Sequence, residues 1–147
     1  AILDSGGRLD RAALRRRLVG EPGVKEKIDH LLHPLIRSRV KKKMARAFRE
    51  GAQVVAVEVP LLFESGMADL FDVTLAVVAN SEILAERICT RDGVSRADAR
   101  GMLALQMDQR KKAGLADYVI ENSRGPSELF ESVEQCFAKI RKEVLTI

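Results

Sequence analysis

The feature that most constrains the fold is a continuous apolar run, VVAVEV at residues 54–59, which ends at Pro60. A short run of β-branched residues is typical of a strand that is buried on both faces of a parallel sheet. The run contains one carboxylate, Glu58, and burying that charge without a partner would cost several kcal/mol. Ligands of open α/β sheets bind at the carboxyl ends of the strands. Glu58 is therefore a candidate organiser of a metal ion, a phosphate or a water molecule, and a cap for the next loop is the alternative.

Two more apolar runs predict further strands, DVTLAVVA at 72–79 and the weaker DYVIEN at 117–122. Helical patterns lie between and after them, and this alternation indicates an α/β fold with a parallel sheet. Three strands are few, because sheets typically have about five or six. We therefore expect the sheet to be incomplete, with missing strands before Ala1 or on a partner chain. The start at Ala1 instead of a methionine fits the loss of preceding residues.

Residues 1–51 show a helical pattern in two pieces, with a break at 20–23 marked by two glycines and a proline. The longer piece has an apolar stripe at three- and four-residue steps, formed by Ile28, Leu31, Leu32, Leu35 and Ile36. Pro34 predicts a kink or a junction of two helices there, and Gly51 stands where a C-terminal cap is expected.

Three helical segments are predicted in the second half of the chain. One begins with a Ser81 cap, one restarts at Ser95, and the last runs from about Ser127 to Val144.

The net charge of +4 conceals an asymmetry along the chain. Residues 1–50 carry fourteen Lys or Arg and six Asp or Glu, a net of +8, whereas residues 51–147 carry eleven and fifteen, a net of −4. A solvated helix face is one explanation, and an anionic ligand is the other. Phe48 is the only aromatic residue among the first fifty, so a base-stacking surface for nucleic acid has nothing to stack on. The phosphate of a small molecule fits better, and no nucleic-acid partner is expected.

Several classes of chemistry are disfavoured. Cys89 and Cys136 lie far apart without CxxC or metal-type spacing, which argues against a disulfide framework or a zinc site. His33 lies among leucines and an isoleucine, where a satisfied core histidine is the ordinary interpretation, and no Ser or Cys pattern suggests a nucleophilic triad. No apolar run reaches the roughly 18 residues of a spanning helix. We expect a cytoplasmic protein without a membrane partner, and the oligomeric state stays open.

Arginine pairs at helical spacing suggest phosphate binding. Arg87 and Arg91 are four residues apart, so on one helix they share a face and can clamp a polyphosphate. Arg96 and Arg100 repeat the spacing. Mobile arginine-bearing helices close over nucleotide phosphates in phosphoryl-transfer enzymes, although such pairs also occur on ordinary soluble surfaces. The phosphate-binding motif G-x-x-x-x-G-K-[ST] is absent from these 147 residues.

Read in order, LDRAAL, HPLIR, VVAVEVPLLFESG, TRDGVSRADA, LQM and ADYVIENS resemble the successive landmarks of the dephospho-coenzyme A kinase family. The resemblance covers residues 9 to about 123. It implies an α/β fold with a P-loop kinase-like parallel sheet flanked by helices, here incomplete at the N-terminus, together with a helical substrate domain and a lid. It also implies transfer of the ATP γ-phosphoryl group to the ribose 3′-hydroxyl of dephospho-coenzyme A, with ATP as co-substrate and Mg²⁺ as cofactor.

The same resemblance implies a division of the chain and a set of site residues. Residues 1–51 would form the helical coenzyme A-binding region, 52–80 the core strands, 81–115 the lid region, and 116–147 the last core strand and C-terminal helix. The implied residues are catalytic Glu58, Arg87 and Arg91; substrate-binding Asp10, Arg11, His33 and Glu64; and nucleotide-binding Lys112 and Asn122. No residue is assigned as a metal ligand.

The chain departs from the family pattern in three respects. The family's P-loop, and the acidic residue that it uses next to the substrate hydroxyl, would lie before Ala1. Met102 stands where the family usually has an arginine, four residues before Gln106. Leu84 replaces a common glutamine, and Gly20 stands where a phenylalanine is usual. We therefore expect the 147-residue chain alone to be inactive, and the alternative is a non-catalytic relative that binds coenzyme A-like ligands.

Overall fold

The first helix begins after Asp10, whose carboxylate accepts a hydrogen bond from the amide of Ala13 at 2.9 Å. The structure, a computed structural model, describes residues 2–21 and 23–144. Helix α1 spans Arg11–Gly20 and α2 spans Val24–Arg49. Gly23 adopts a φ of 80° directly before α2, a left-handed conformation that favours glycine. The predicted break between the two helices is confirmed.

Contacts divide the chain into two units, Ala1–Leu70 and Phe71–Ile147. We call the first the helical unit, because it contains α1 and α2, and the second the sheet unit. None of the described helices is both long and apolar enough to cross a membrane.

Helix α2 runs as one helix of 26 residues through Pro34. The predicted junction of two helices is therefore wrong, because a long helix keeps its other backbone hydrogen bonds when a proline removes one. The predicted cap at Gly51 is confirmed. Gly51 has a φ of 92° and donates to the carbonyl of Phe48 at 3.1 Å, and the amide of Ala52 donates to the carbonyl of Ala47 at 3.0 Å. These two bonds form the Schellman arrangement that ends many helices at a glycine.

The apolar stripe of α2 is exposed at four of its five residues, and Ile28 is half-buried. Leu31 and Leu35 are each 68% exposed, whereas Asp29, His33 and Arg37 are half-buried at four-residue spacing along another face. Periodicity identified an apolar face correctly, but it contains no information on whether another element covers that face.

Residues 54–59 have no regular secondary structure, so the predicted strand at the start of the core is wrong for the described residues. Their side chains alternate, with three valines half-buried and with Val54, Ala56 and Glu58 exposed. This period of two suits a strand, but a strand also requires a neighbour that shares its ladder hydrogen bonds. No described residue pairs with this segment.

The sheet unit contains the two other predicted strands. Strand β1 spans Leu75–Val78 and β2 spans Tyr118–Glu121, and they pair in parallel with Leu75 opposite Tyr118 and Val78 opposite Glu121. The connection between them carries three helices: α3 Ser81–Asp92, α4 Arg96–Ala104 and α5 Gln109–Leu115. Helix α6, Pro126–Glu143, follows β2 within one residue of the predicted bounds. The α/β class with a parallel sheet is confirmed.

One face of this sheet is buried and the other is exposed among the described residues. Val78 and Ile120 are 8% and 4% exposed, whereas Val77 and Val119 are 53% and 45% exposed. The expectation that the strands are buried on both faces is therefore wrong for the part of the chain described. The apolar run alone could not distinguish these cases, because it marks both faces as apolar.

Polar caps set the starts of the connecting helices. The predicted Ser81 cap is wrong, since the side chain of Asn80 instead accepts from the amide of Glu82 at 2.8 Å. The predicted restart at Ser95 is confirmed by its cap of α4. Asp108 caps α5 and so divides into two the segment that the sequence predicted as one helix.

Candidate functional site

The two acidic residues around the PLLF sequence lie in different environments of the helical unit. Glu58 is exposed, so water solvates its charge and the predicted burial cost does not arise. Glu64 is half-buried, and its Oε2 atom is buried. Glu58 is therefore accessible to a ligand, and Glu64 is held within the protein surface.

Residues 60–66 form a tight turn around Glu64. The amide and hydroxyl of Ser65 both donate to the carbonyl of Leu61, at 2.9 and 2.6 Å. Gly66 has a φ of 64°, and Met67, which is 2% exposed, anchors the turn in the small core of the unit. Local backbone bonds thus give this acid-bearing turn a defined shape.

Arg37 of α2 holds the end of this turn. Its Nη1 and Nη2 atoms donate to Oδ1 and Oδ2 of Asp69 at 2.9 and 2.6 Å, and Nη1 also donates to the carbonyl of Gly66 at 3.2 Å. The hydrogen bonds from Arg37 lower the pKa of Asp69 and raise that of Arg37. Sequence reasoning missed Arg37, although it is the last residue of HPLIR and Gly66 ends VVAVEVPLLFESG.

His33 lies one turn before Arg37 on the same half-buried face. Its Nε2 atom is 3.5 Å from Oδ1 of Asp29, and Lys25 Nζ donates to the other oxygen of Asp29 at 2.6 Å. A carboxylate one turn earlier is thus available to orient the imidazole. His33 is half-buried and not in the core, so the ordinary interpretation as a core histidine does not hold, and Asp29 is its polar neighbour.

Asp10 and Arg11 lie at the start of α1. The Asp10 carboxylate caps the helix, which gives this residue a structural role independent of any substrate. Arg11 is exposed in the first turn. Nothing in these contacts establishes the expected substrate binding, which stays a prediction.

In the sheet unit, Arg87 and Asn122 meet at the carboxyl ends of the strands. Arg87 Nη1 donates to the carbonyl of Asn122 at 2.9 Å, and the amide of Asn122 donates to the carbonyl of Val78 at 2.7 Å. The carboxyl edge of a parallel sheet is the usual place for a ligand. These two expected site residues, one catalytic and one nucleotide-binding, are therefore neighbours in the fold.

Ser123 strengthens the same edge and was missed by sequence reasoning. The amide of Asn80 donates to Ser123 Oγ at 2.8 Å, and the Ser123 hydroxyl donates to the carboxylate of Glu121. The second residue after each strand is thus hydrogen-bonded to the second residue after the other strand. The final serine of ADYVIENS was the available sequence signal.

Arg91 does not donate to the same group as Arg87. Its Nε and Nη2 atoms donate to both carboxylate oxygens of Asp92 at 2.8 and 3.0 Å, and these bonds raise the pKa of Arg91. Arg87 and Arg91 therefore bind different groups in this structure, despite their helical spacing. Lys112 Nζ donates to Gln106 Oε1 at 3.4 Å.

Glu82 at the start of α3 joins two arginines of α4. Arg96 Nη2 is 2.6 Å from its Oε2, and Arg100 Nη2 is 2.9 Å from its Oε1. The hydrogen bonds from Arg96 and then Arg100 lower the pKa of Glu82. Arg100 lies two residues from Met102, so a guanidinium is present close to the departure from the family pattern.

The chain is similar to proteins named dephospho-CoA kinase along most of its length. The sequence profile of the family described as Dephospho-CoA kinase matches residues 1–128. The chain is 33% identical over 140 residues to a dephospho-CoA kinase of Anaeromyxobacter dehalogenans and 34% identical over 133 residues to one of Corynebacterium jeikeium. These alignments cover 95% and 90% of this chain but 66% and 69% of the two relatives. The chain thus spans about two thirds of their length.

Two solved structures have similar folds. The crystal structure of TT1252 from Thermus thermophilus superposes on this chain with a TM-score of 0.71 and 31% sequence identity. The alignment covers 95% of this chain and 71% of the Thermus chain. A dephospho-CoA kinase from Campylobacter jejuni is 26% identical, with a TM-score of 0.58, and covers 96% of this chain and 70% of that one.

Proposed function

The chain belongs to the dephospho-CoA kinase family, which has the P-loop kinase fold, and on this basis we propose that the protein transfers the γ-phosphoryl group of ATP to the ribose 3′-hydroxyl of dephospho-coenzyme A. This is the last step of coenzyme A biosynthesis. The observation that carries the proposal is the family match over residues 1–128, which contains every expected site residue.

In this proposal the sheet unit supplies nucleotide contacts. Residues 81–115 act as the lid and residues 116–147 as the last core strand and C-terminal helix. Asn122 lies beside the adenine, and Lys112 contacts the phosphates. Arg91 is exposed and forms a bidentate pair with the half-buried carboxylate of Asp92, which it can exchange for a phosphate, since guanidinium groups bind both anions in the same bidentate geometry.

The helical unit supplies contacts to the acceptor. Residues 1–51 form the coenzyme A-binding region, in which Asp10, Arg11 and His33 face the substrate, and Glu64 joins them from the turn at 60–66. The net charge of +8 over residues 1–50 supports this assignment, because dephospho-coenzyme A carries phosphate groups.

Glu58 is the catalytic carboxylate of the proposal. The described residues contain no group of three His, Cys, Asp or Glu side chains able to hold a metal ion. Kinases usually bind Mg²⁺ through one or two carboxylates together with substrate phosphates, so a single exposed carboxylate fits that arrangement. Glu58 would hold the ion through water, and Mg²⁺ bound with ATP supplies charge neutralisation. Glu58 itself positions the acceptor hydroxyl.

The proposal is tested by assaying the full natural protein for ATP-dependent conversion of dephospho-coenzyme A to coenzyme A by mass spectrometry. We expect turnover with ATP and none without nucleotide. Absence of product at saturating concentrations of both substrates, from protein that is folded by circular dichroism, would contradict it.

A second candidate is a non-catalytic relative that binds coenzyme A-like ligands. Met102 in place of a lid arginine favours it, as does the pairing of Arg100 with Glu82. Calorimetric titration separates the candidates, because this alternative predicts binding of coenzyme A without binding of ATP.

The proposed partners are small molecules, dephospho-coenzyme A and ATP, and no nucleic acid or membrane is included. A cytoplasmic location is proposed, since Cys89 and Cys136 are both free thiols, as is usual in a reducing compartment.

A further inference from the structure

We propose that Arg37 is a positioning residue, which fixes the acid-bearing turn at 60–66 against helix α2 and so prepares the acceptor-binding side of the protein. The inference rests on the proposed function for its catalytic readout. It adds a residue that was not among the expected site residues and whose contacts join the two sequence landmarks HPLIR and VVAVEVPLLFESG.

The contacts of Arg37 are non-local and numerous. Three hydrogen bonds, at 2.6, 2.9 and 3.2 Å, connect one guanidinium to the Asp69 carboxylate and the Gly66 carbonyl, which lie 32 and 29 residues further along the chain. The Arg37 side chain is 33% exposed. A bidentate carboxylate pair fixes orientation as well as distance, so Arg37 sets both the position and the direction of the turn.

The turn transmits this constraint to Glu64. Gly66 donates to the carbonyl of Phe63 at 3.2 Å, and Ser65 donates to the carbonyl of Leu61 at 2.9 Å, so residues on both sides of Glu64 belong to one hydrogen-bonded unit. Holding Gly66 therefore holds Glu64. His33 lies four residues before Arg37 on the same face of α2. One turn of α2 therefore carries both His33, an expected acceptor contact, and Arg37, which holds the turn that contains Glu64.

The first experiment measures kinetics of the full natural protein. In the Arg37→Ala variant we expect the KM for dephospho-coenzyme A to rise about tenfold, the scale of one lost charge-assisted interaction, with the KM for ATP and kcat within about twofold of the parent. Arg37→Lys should lie in between, because an ammonium group cannot form the bidentate pair. Equal changes in the two KM values, or no change in either, would overturn the inference.

The second experiment needs no substrate. Hydrogen exchange followed by mass spectrometry should show faster exchange of the amides of Ser65, Gly66 and Met67 in Arg37→Ala, by about fivefold or more. Arg17→Ala is the matched control, because it removes an equally short bidentate pair, to Glu21 at 2.7 Å, between residues only four positions apart at the end of α1. That control should leave the exchange of the turn unchanged. Unchanged exchange in Arg37→Ala would overturn the inference.

A double-mutant cycle, measured by the hydrogen-exchange rates of the turn amides, separates the contribution of the Arg37–Asp69 pair from that of other contacts. Both Asp69→Ala and Arg37→Ala remove the two bonds between Arg37 and Asp69, and Arg37→Ala also removes the bond to the Gly66 carbonyl. The effect of the double variant should therefore be smaller than the sum of the two single effects, and fully additive effects would contradict the proposed clamp. The two experiments also fail differently. A parent protein without kinase activity contradicts the proposed function, while the exchange measurements still decide the role of Arg37.

Discussion

At the scale of single residues, the contrast between Glu58 and Glu64 shows how environment divides roles between chemically equivalent side chains. Glu58 is exposed and its charge is solvated, whereas Glu64 is half-buried in a turn that Arg37 holds. A solvated acid contributes little to folding but is free to meet a ligand, so substitution at Glu58 should affect catalysis far more than stability.

Replacing Glu58 by Gln in the full natural protein tests this division. Glutamine keeps the size of the side chain and removes its charge, so kcat should fall by about 10² or more, with affinities for ATP and coenzyme A little changed. The melting temperature should stay the same, and Glu131→Gln, at another exposed glutamate, is the control for kcat. A kcat within about threefold of the parent, under 1 kcal/mol in barrier, would remove Glu58 from the site.

Asp117 presents a second residue whose role is visible only in the structure. Its Oδ2 atom accepts from both the hydroxyl and the amide of Thr74, at 2.7 and 2.8 Å, and its own amide donates to Thr74 Oγ1 at 3.1 Å. Hydrogen bonds from the Thr74 side chain and then its backbone lower the pKa of Asp117 below its ordinary value of 3.8. This pair ties together the starts of the two parallel strands.

The lowered pKa determines the sign of a pH effect. Because the folded-state pKa lies below the unfolded one, the stabilisation by Asp117 is complete above about pH 4 and is lost as the pH falls through the folded-state value. Asp117→Asn should lower the melting temperature by about 2–4 °C at pH 7, and the gap to the parent should narrow below pH 4. Thermal unfolding at several pH values measures this, with exposed Asp72→Asn as control. A gap that widens in acid would contradict the assignment.

At the scale of helices and strands, the ends of elements were more predictable than their burial. The Gly51 cap, the Ser95 cap and the strands β1 and β2 could be predicted, because they depend mainly on residues that are close together in the sequence. The segment at 54–59 has the composition of a strand, yet strand pairing depends on a partner elsewhere. For the same reason the exposed stripe of α2 and the exposed sheet face could not be anticipated from periodicity.

The same limit applied to the candidate site. The sequence indicated Arg87 and Asn122 by resemblance, and the structure adds that they touch. The sequence did not indicate Arg37 or Ser123, because hydrogen bonds between residues 29 to 43 positions apart leave no local pattern. The prediction that Arg87 and Arg91 bind one polyphosphate together was based on helical spacing. Helical spacing determines the face on which a side chain lies but not its hydrogen-bond partner.

The helix cap at Gly51, which could be predicted from the sequence, can be tested by substitution. With a φ of 92°, an alanine there would adopt a strained left-handed conformation, at a cost of about 1–2 kcal/mol. Gly20 is the matched control, since it ends α1 with open space around its Cβ position, and alanine there should be neutral or stabilising by up to about 1 kcal/mol. Urea unfolding of the full natural protein measures both, and equal effects would contradict the proposed cap.

At the scale of the whole molecule, the first third of the chain and the rest differ in net charge and in the site residues proposed for them. The basic first third contains three of the four proposed acceptor contacts, and the residues after it contain Glu64, the proposed catalytic acid, the proposed lid arginines and the proposed nucleotide contacts. Neither part contains the G-x-x-x-x-G-K-[ST] sequence that binds the β- and γ-phosphates in P-loop kinases. In the proposed function, the 147 residues therefore supply groups that orient substrates, but they lack the P-loop amides and lysine that stabilise the transferring group.

The 147-residue chain, assayed alone with ATP, Mg²⁺ and dephospho-coenzyme A, should produce no detectable coenzyme A, because electrostatic stabilisation of the γ-phosphoryl group supplies most of the rate in phosphoryl transfer. The full natural protein under the same conditions is the control, and mass spectrometry of the product is the measurement. Circular dichroism and a cooperative unfolding transition must first show that the 147-residue chain is folded. Turnover by the folded chain would mean that another set of its groups cradles the phosphates, and Arg96 and Arg100, now paired with Glu82, would then be the first residues to replace.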